Sequence, residues 1–363
     1  MKPLIKWPGG KSGEYKYIKH LIPDFDRFIE PFFGGGAIYF KLEPKKSIIN
    51  DINLDLVNFY KCTKNQSKPF LKQLHFFADE WKKISVLIDT HSDQIIKAYK
   101  NQDNLEIDIF KNENTVENEI YKILFNDYQF SEHYFDTVNL KIQIVKNLKS
   151  KIRRTRKITN ESTTDVDIVN NIESAVKSGI YMHYRDIYNK KIGKLSSDEA
   201  SAVFFFIREF CYASMFRYNA KGEFNIPYGG IGYNRKNFKA KIHTIENDDV
   251  CKQLEGTEIL NTDFEEVIRK NAKKGDFIFL DPPYDSEFKD YDKNPFTKDD
   301  QTRLADSLSD TSAKFILIIK ETDFIAKLYA GRGFKVESFE KKYLYNMRGR
   351  NNRDVNHLLI YNF

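Results

Sequence analysis

Nine residues, Asp276 to Tyr284 (DFIFLDPPY), constrain the fold of this chain more than any other stretch. A short apolar run of this kind reads as a buried strand. The two prolines end it, because each lacks a backbone N–H and each pushes the residue before it into an extended conformation. The strand therefore runs into a stiff loop that presents the Asp281 carboxylate and the Pro282 carbonyl as two preorganised acceptors beside the Tyr284 ring. Two acceptors and a ring suit a planar base with an exocyclic amine, whose delocalised lone pair must be localised before it can act as a nucleophile. The same tetrapeptide, Asp281-Pro282-Pro283-Tyr284, also fits a strand followed by a proline-rich surface turn. The choice between them depends on the rest of the chain.

The N-terminal sixty residues carry an α/β rhythm. Arg27 to Glu30 reads as a strand entering Pro31-Phe32-Phe33-Gly34-Gly35-Gly36, a helix can begin over Ala37 to Leu42, and Ser47 to Asn50 is a second strand ending at Asp51. Strand, glycine turn, helix, strand and acid is the order of a nucleoside-binding half of a Rossmann-like sheet. Two phosphate signatures fail on spacing. Gly34-x-Gly36 is followed by Tyr39 where a dinucleotide fingerprint needs glycine, and Gly10-Lys11-Ser12 has Ile5 where a P-loop needs its leading glycine. A glycine turn with an acidic follower and no phosphate signature points to a nucleoside without phosphates, for which S-adenosylmethionine is the candidate; glycine turns also serve as plain tight connections.

Beyond residue 61 strand signals become sparse and helical apolar spacing dominates as far as about residue 250. Asp103 to Glu119 reads as a solvated, acidic helix or loop. Lys149 to Lys157 holds six cations, which suit either a phosphate backbone or an ordinary solvated face. Tyr181 to Tyr188 and Asp198 to Met215 read as helices. The stretch Phe216 to Gly230 then interleaves Arg217, Lys221, Asn219, Asn225 and Tyr228 with glycines and no apolar period, a composition fitted to phosphates and base edges or to a structural loop. After residue 255 the α/β rhythm returns, with strands at Thr257 to Leu260, Phe277 to Leu280 and Lys314 to Ile319, and a closing antiparallel pair at Phe334 to Phe339 and Val355 to Tyr361. Arg348, Arg350 and Arg353 make a basic connection inside that pair.

The composition excludes several classes. Cys62, Cys211 and Cys251 are isolated in sequence, so neither a disulfide framework nor a zinc site is expected, and no calcium or H-E-x-x-H spacing occurs. No apolar run is long enough to cross a bilayer. A soluble, cytoplasmic protein without a metal or a membrane partner is therefore expected. Lys and Arg exceed Asp and Glu by 58 to 52, a net charge of +6 that permits nucleic-acid binding without requiring it.

Five collinear stretches resemble the Dam-like adenine-N6 DNA methyltransferases: Lys6 to Lys11 (KWPGGK), Pro31 to Gly36 (PFFGGG), Asp51 to Asn53 (DIN), Arg217 to Gly229 (RYNAKGEFNIPYG) and Asp281 to Tyr284 (DPPY). The resemblance implies an α/β Rossmann-like methyltransferase sheet built from residues 1–62 and 250–363, with an inserted, mainly helical target-recognition region over 63–249. It implies that Trp7, Gly9, Gly10, Lys11, Phe33, Gly34 and Gly36 shape the S-adenosylmethionine site, that Asp51 binds the cofactor ribose, and that Asp263 and Phe264 pack against its adenine. Asp281, Pro282, Pro283 and Tyr284 would carry catalysis, Asp281 also bordering the cofactor. Arg217, Asn219, Lys221, Asn225 and Tyr228 would meet double-stranded DNA. The implied reaction is methyl transfer to N6 of an adenine flipped from the duplex, in a setting that can include a cognate restriction endonuclease. Cytosine-N4 methylation, an RNA or protein substrate, and a non-catalytic DNA-binding regulator on the same fold remain the alternatives.

Overall fold

The computed structural model describes residues 1–10, 13–100, 115–158, 163–283, 296–342 and 354–363. The chain packs as two compact units, one comprising Met1–Gln66, Arg217–Gly222 and Thr244–Phe363, the other Ser67–Phe216 and Glu223–His243.

The first unit is an α/β sheet. In chain order it holds α1 (Tyr15–Ile18), β1 (Arg27–Glu30), α2 (Tyr39–Leu42), β2 (Ser47–Asn50) and α3 (Leu54–Lys64). The chain enters the second unit through α4 (Lys68–Thr90), α5 (Ser92–Lys100), α6 (Val116–Phe125), α7 (Thr137–Ile158), α8 (Asp165–Lys191) and α9 (Ser197–Phe210), and leaves it along α10 (Phe238–Ile245), which crosses the boundary after His243. It returns to the sheet with α11 (Asp248–Glu255), β3 (Thr257–Leu260), α12 (Phe264–Asn271), β4 (Asp276–Leu280), α13 (Lys298–Asp310), β5 (Lys314–Lys320), α14 (Asp323–Tyr329), β6 (Lys335–Lys342) and β7 (Asp354–Tyr361).

The seven strands lie in the order β3-β2-β1-β4-β5-β7-β6. Pairing is parallel from β3 through β5, and β7 runs antiparallel to both of its neighbours. This is a Rossmann-like methyltransferase arrangement. Strands buried on both faces need no alternation, which is why β4 is apolar from Phe277 to Leu280 and buried throughout. Ile29, Ile48, Ile278, Leu280 and Leu317 pack on one face against Phe264 and Val267 of α12 and Leu304 and Leu308 of α13. Side chains alternate along a strand, so Phe28 and Phe277 take the other face, where their rings lie 5.8 Å apart and Phe28 meets Tyr39 at 6.5 Å.

The second unit, among its described residues, is helical. α8 opens with a capping box, Thr164 and Asp167, and α9 with another, Ser196 and Glu199. The two helices cross a core of Phe77, Trp81, Tyr184, Phe206 and Phe210, with Trp81 and Phe210 centroids 4.2 Å apart. Helix α9 stops at Phe210 rather than continuing to Met215. Cys211 instead bridges Tyr228 in antiparallel fashion, and Ala213 and Ser214 take positive φ values of 53° and 52°. The buried Arg208 guanidinium donates to the carbonyls of Met215 at 2.8 Å and Ser214 at 3.2 Å, satisfying backbone that a helix would otherwise have paired. Helix α2 begins at Tyr39 rather than Ala37, because the glycine turn consumes the intervening residues. The basic run lies within α7. Residues 103–114 of the acidic stretch and Arg348, Arg350 and Arg353 fall outside the described residues.

Candidate active site

The order 3-2-1-4-5 reverses direction between β1 and β4, and in open parallel sheets the crevice at the carboxyl ends of strands beside such a switch point is where ligands bind. Each of the four strands around that point ends in an acid or has one shortly after it: Asp263 lies three residues beyond β3, Asp51 follows β2, Glu30 closes β1 and Asp281 follows β4. The loops carrying them are laced together. Buried Asn50 donates its amide to the carbonyls of Pro31 and Thr262, both at 3.0 Å, and accepts from the Thr262 N–H at 2.9 Å. Asn261 donates to the Asp51 carbonyl at 2.8 Å.

The glycine turn is shaped by what sits on it. Gly34 has φ +52°, and a Cβ there would lie 2.7 Å from Trp7 Cδ1, so only glycine admits both the backbone and the indole. Gly36 has φ +66° and is covered by the buried ring of Phe33. The N-terminal segment thus docks Trp7 directly on the turn. Gly9, with φ +79°, and Gly10 are exposed and lie in the bend after Trp7. Asp51 clamps the turn from the other side: Oδ2 accepts from the Gly34 N–H and Oδ1 from the Asn53 N–H, each at 2.9 Å. Lys11 lies outside the described residues.

Glu30 is the residue that the sequence reading missed. It is 3% exposed, and its Oε2 has no hydrogen-bond partner among the described residues. Burial, then the neighbouring Asp281 carboxylate, push its pKa well above the usual carboxylate range; the Tyr39 amide opposes them and Asp51 adds to them. The buried Tyr60 hydroxyl, also without a partner among the described residues, has its pKa raised by burial and then by Glu30 and Asp51. Tyr60 meets Phe33 edge-on at 4.8 Å. Three carboxyl groups within electrostatic reach, with an orphaned oxygen and an orphaned phenol, form a polar deficit suited to a ligand bearing positive charge and donors. A sequence signal did exist: Glu30 directly precedes the Pro31 to Gly36 turn.

Asp263 caps α12 through the Glu265 N–H at 2.9 Å and pairs with Arg303 of α13 at 2.6 Å. Arg303 lies over the Phe264 ring at 4.9 Å, and Phe264 meets Phe32 at 5.3 Å and Phe296 at 5.3 Å. Phe32 and Phe296 extend the aromatic wall beyond the expected Phe264. Asp281 is half-buried, Pro282 buried and Pro283 exposed. The buried Gln301 of α13 donates to the Pro283 carbonyl at 3.3 Å and so fixes the far side of the loop. Tyr284 lies outside the described residues.

The expected DNA contacts divide. Asn219 and Lys221 form a turn in which the Asn219 carbonyl accepts from Gly222 at 2.8 Å and its side chain from the Lys221 N–H at 3.0 Å. Lys221 is exposed, and Arg217, Asn219 and Asn225 are half-buried. Tyr228 is a correction. Its ring is 8% exposed against Trp81 and Tyr181, and its hydroxyl bonds the buried Asn234 at 3.0 Å. It is a core residue of the second unit and offers no face for stacking on a base.

Comparison with known proteins agrees with the sheet. The chain is 28% identical to the Type II methyltransferase M.MjaIII of Methanocaldococcus jannaschii, over 100% of this chain and 99% of that protein. It is 26% identical to the Type II methyltransferase M.CviBI of Paramecium bursaria Chlorella virus NC1A over the full length of both. With the DNA adenine methylase of Vibrio cholerae it shares 21% identity over 97% of this chain and 94% of that one. Two overlapping matches, over residues 7–176 and 113–347, place both the sheet and the helical unit within one family. The chain belongs to the D12 class N6 adenine-specific DNA methyltransferases.

Proposed function

We propose that this methyltransferase uses S-adenosylmethionine to methylate N6 of an adenine flipped out of double-stranded DNA, with the chemistry at the carboxyl ends of β1 and β4. The observation that carries this assignment is the convergence of Glu30, Asp51 and Asp281 at the switch point beneath the glycine turn. The donor set fits the cofactor, whose sulfonium and ammonium charges suit a carboxyl-rich crevice with an orphaned Glu30 oxygen and whose ribose hydroxyls suit a carboxylate acceptor held by the glycine turn, Asp51. Trp7, Phe33, Gly34 and Gly36 would wall the methionine end, and Asp263, Phe264 and Phe32 the adenine end.

When bound, S-adenosylmethionine supplies an electrophilic methyl group. The chain's own work is to prepare the nucleophile. Asp281 and the Pro282 carbonyl accept the two amino hydrogens of the target adenine, which localises the nitrogen lone pair, and the Asp281 charge favours the positive charge that develops on nitrogen. Tyr284 would hold the flipped ring. Gln301 restrains the loop through Pro283 so that the acceptors do not have to be ordered during the reaction. The second unit with its Asn225, together with Arg217, Asn219 and Lys221 from the short segment that belongs to the first unit, would read and hold the duplex. A cytoplasmic location, and a cognate endonuclease sharing the recognition sequence, go with this role.

Expression in a host lacking adenine methylation, followed by sequencing of modified bases and digestion to nucleosides, tests activity, base and site together. N6-methyladenine at a defined sequence is expected. N4-methylcytosine, or unmodified DNA from soluble protein, would overturn the assignment.

A further inference from the structure

We propose that the outward face of α7 is a contact surface for the phosphate backbone of the DNA substrate, additional to the Arg217 to Asn225 stretch; the inference rests on the duplex-DNA reading above. Helix α7 buries Leu140, Ile144, Leu148 and Ile152 at i, i+4 spacing. It packs against α8 so closely that a Cβ on Gly179 would lie 2.5 Å from Ile144 Cα. That contact fixes the rotation of the helix about its own axis.

The opposite face is therefore fixed as well, and it carries Lys146, Lys149, Arg153, Arg154 and Lys157, all exposed. With Ser150 they line an open concavity of about 550 Å³. The structure sorts the basic run of the sequence: Arg156 turns away to donate to the Tyr99 carbonyl at 2.7 Å and lies over the Tyr99 ring, and Lys151 is half-buried, whereas Lys149, Arg153, Arg154 and Lys157 join Lys146 on one stripe. Lys146, Lys149, Arg153 and Lys157 follow one another at i+3 and i+4 spacing, roughly 5–6 Å apart at Cβ, over about 16 Å of helix. Duplex DNA presents one negative charge per roughly 1.7 Å of its axis, so a stripe of this length faces several phosphates at once.

Like charges held this close on a rigid helix repel one another, and among the described residues the neutralisation on this face is slight. Lys149 lies 3.7 Å from Glu117, with the lysine half exposed, so solvent screens most of that attraction. A polyanion that spans the stripe relieves the repulsion along its whole length. Val138 and Ile142 continue the same face toward the helix start and are also exposed, so its apolar end can meet sugar edges.

The test is a full-length variant with Lys146→Gln, Lys149→Gln and Arg153→Gln, since glutamine is a good helix former and the three sites lie opposite the packed face. Binding to a duplex containing the methylated sequence is followed by fluorescence anisotropy across salt concentrations. The plot of log affinity against log salt should become shallower by about 0.9 per phosphate contact removed, with more than tenfold weaker binding at low salt. The turnover number at saturating DNA should be unchanged. An equal slope and affinity in a variant that melts with the parent would overturn the proposal, as would a loss seen only with phosphatidylglycerol vesicles. Replacement of Lys146 and Lys149 by arginine should restore the parental slope; failure to do so in a folded protein counts against a charge contact. If the parent itself shows no salt-dependent duplex binding, the DNA reading fails first, and the two failures remain distinguishable.

Discussion

Two buried glutamates, one in each unit, are treated in opposite ways. Glu173 in α8 is fully buried, and its carboxylate is met by Lys177 at 3.0 Å, Ser85 at 2.7 Å and Arg235 at 3.4 Å. Lys177 in turn donates to Ser85 and to the Asn234 carbonyl and lies 4.9 Å from the Trp81 ring centroid. Burial pushes the Lys177 ammonium down to about 8, against the pull of Glu173. Glu30 in β1 is also buried, yet the charges that act on it among the described residues are the like charges of Asp281 and Asp51. The first glutamate completes an internal network. The second leaves a deficit that no described residue fills, which is the difference between a carboxylate that holds a unit together and one suited to meeting a ligand.

The sharpest way to break the comparison is at the edge itself. Asp281→Ala should lower methyl transfer by about a hundred- to a thousandfold, the scale for removing a preorganised group aimed at developing charge, while leaving duplex affinity within a few-fold of the parent. A tritiated-methyl assay alongside a binding measurement reads both; retained turnover would remove Asp281 from the chemistry.

In the second unit the large effect should be on stability. Lys177→Met leaves Glu173 with weaker compensation and should cost about 3 kcal/mol, whereas replacing both residues by leucine should recover most of that loss. The two tryptophans, Trp7 and Trp81, fall in different units. In a Trp7→Phe background, urea titration followed by Trp81 emission therefore reports the second unit alone. A double variant as unstable as the single one would show that the pair contributes more than it costs to desolvate.

Much of this was legible in sequence because the signals are local. The strands at Arg27 to Glu30, Ser47 to Asn50 and Thr257 to Leu260 stand where apolar runs meet Gly, Pro and Asp, and the structure returns the same bounds. Glu30 was not legible as a site residue, since an acid before a proline reads as the polar end of a strand until the sheet order sets it between Asp51 and Asp281. The end of α9 was hidden for a similar reason: Tyr212 to Met215 carries helix-compatible residues, and only the distant Tyr228 and the buried Arg208 decide otherwise.

Proton linkage offers a subtler contrast. His183 of α8 sits in the second unit between Asn139 and the Tyr134 carbonyl, and burial holds it down to about 4. The unfolded chain takes up that proton near pH ~6.5 and the folded chain does not, so stability is present above ~6.5 and falls by about 3 kcal/mol as pH drops toward 4. Glu30 carries the opposite sign. Its folded pKa is raised, so its contribution is complete below the ordinary glutamate value of 4.5 and is lost as pH rises through the folded value. Glu30→Gln should flatten that alkaline-going decline without altering the acid-side loss, as read from urea midpoints across pH. It should also weaken S-adenosylmethionine binding in calorimetry. An unchanged pH profile would mean that Glu30 is already ionised and paired.

The smallest effect separates a core residue from a binding one. Tyr228→Phe keeps the ring and removes only the hydroxyl that meets Asn234, whose own amide donates to the Asn170 carbonyl at 3.3 Å and which is itself buried. If Tyr228 stacked on a base, the substitution would leave stability untouched, because an exposed phenol is already hydrated. As a core residue it should lose about 1 kcal/mol, the net value of one buried hydrogen bond with its acceptor left unmet, while duplex affinity stays at the parental value. A Trp81 unfolding midpoint that does not move, combined with weaker DNA binding, would return Tyr228 to the interface and make the aromatic character of the Phe216 to Gly230 stretch a matter of recognition rather than packing.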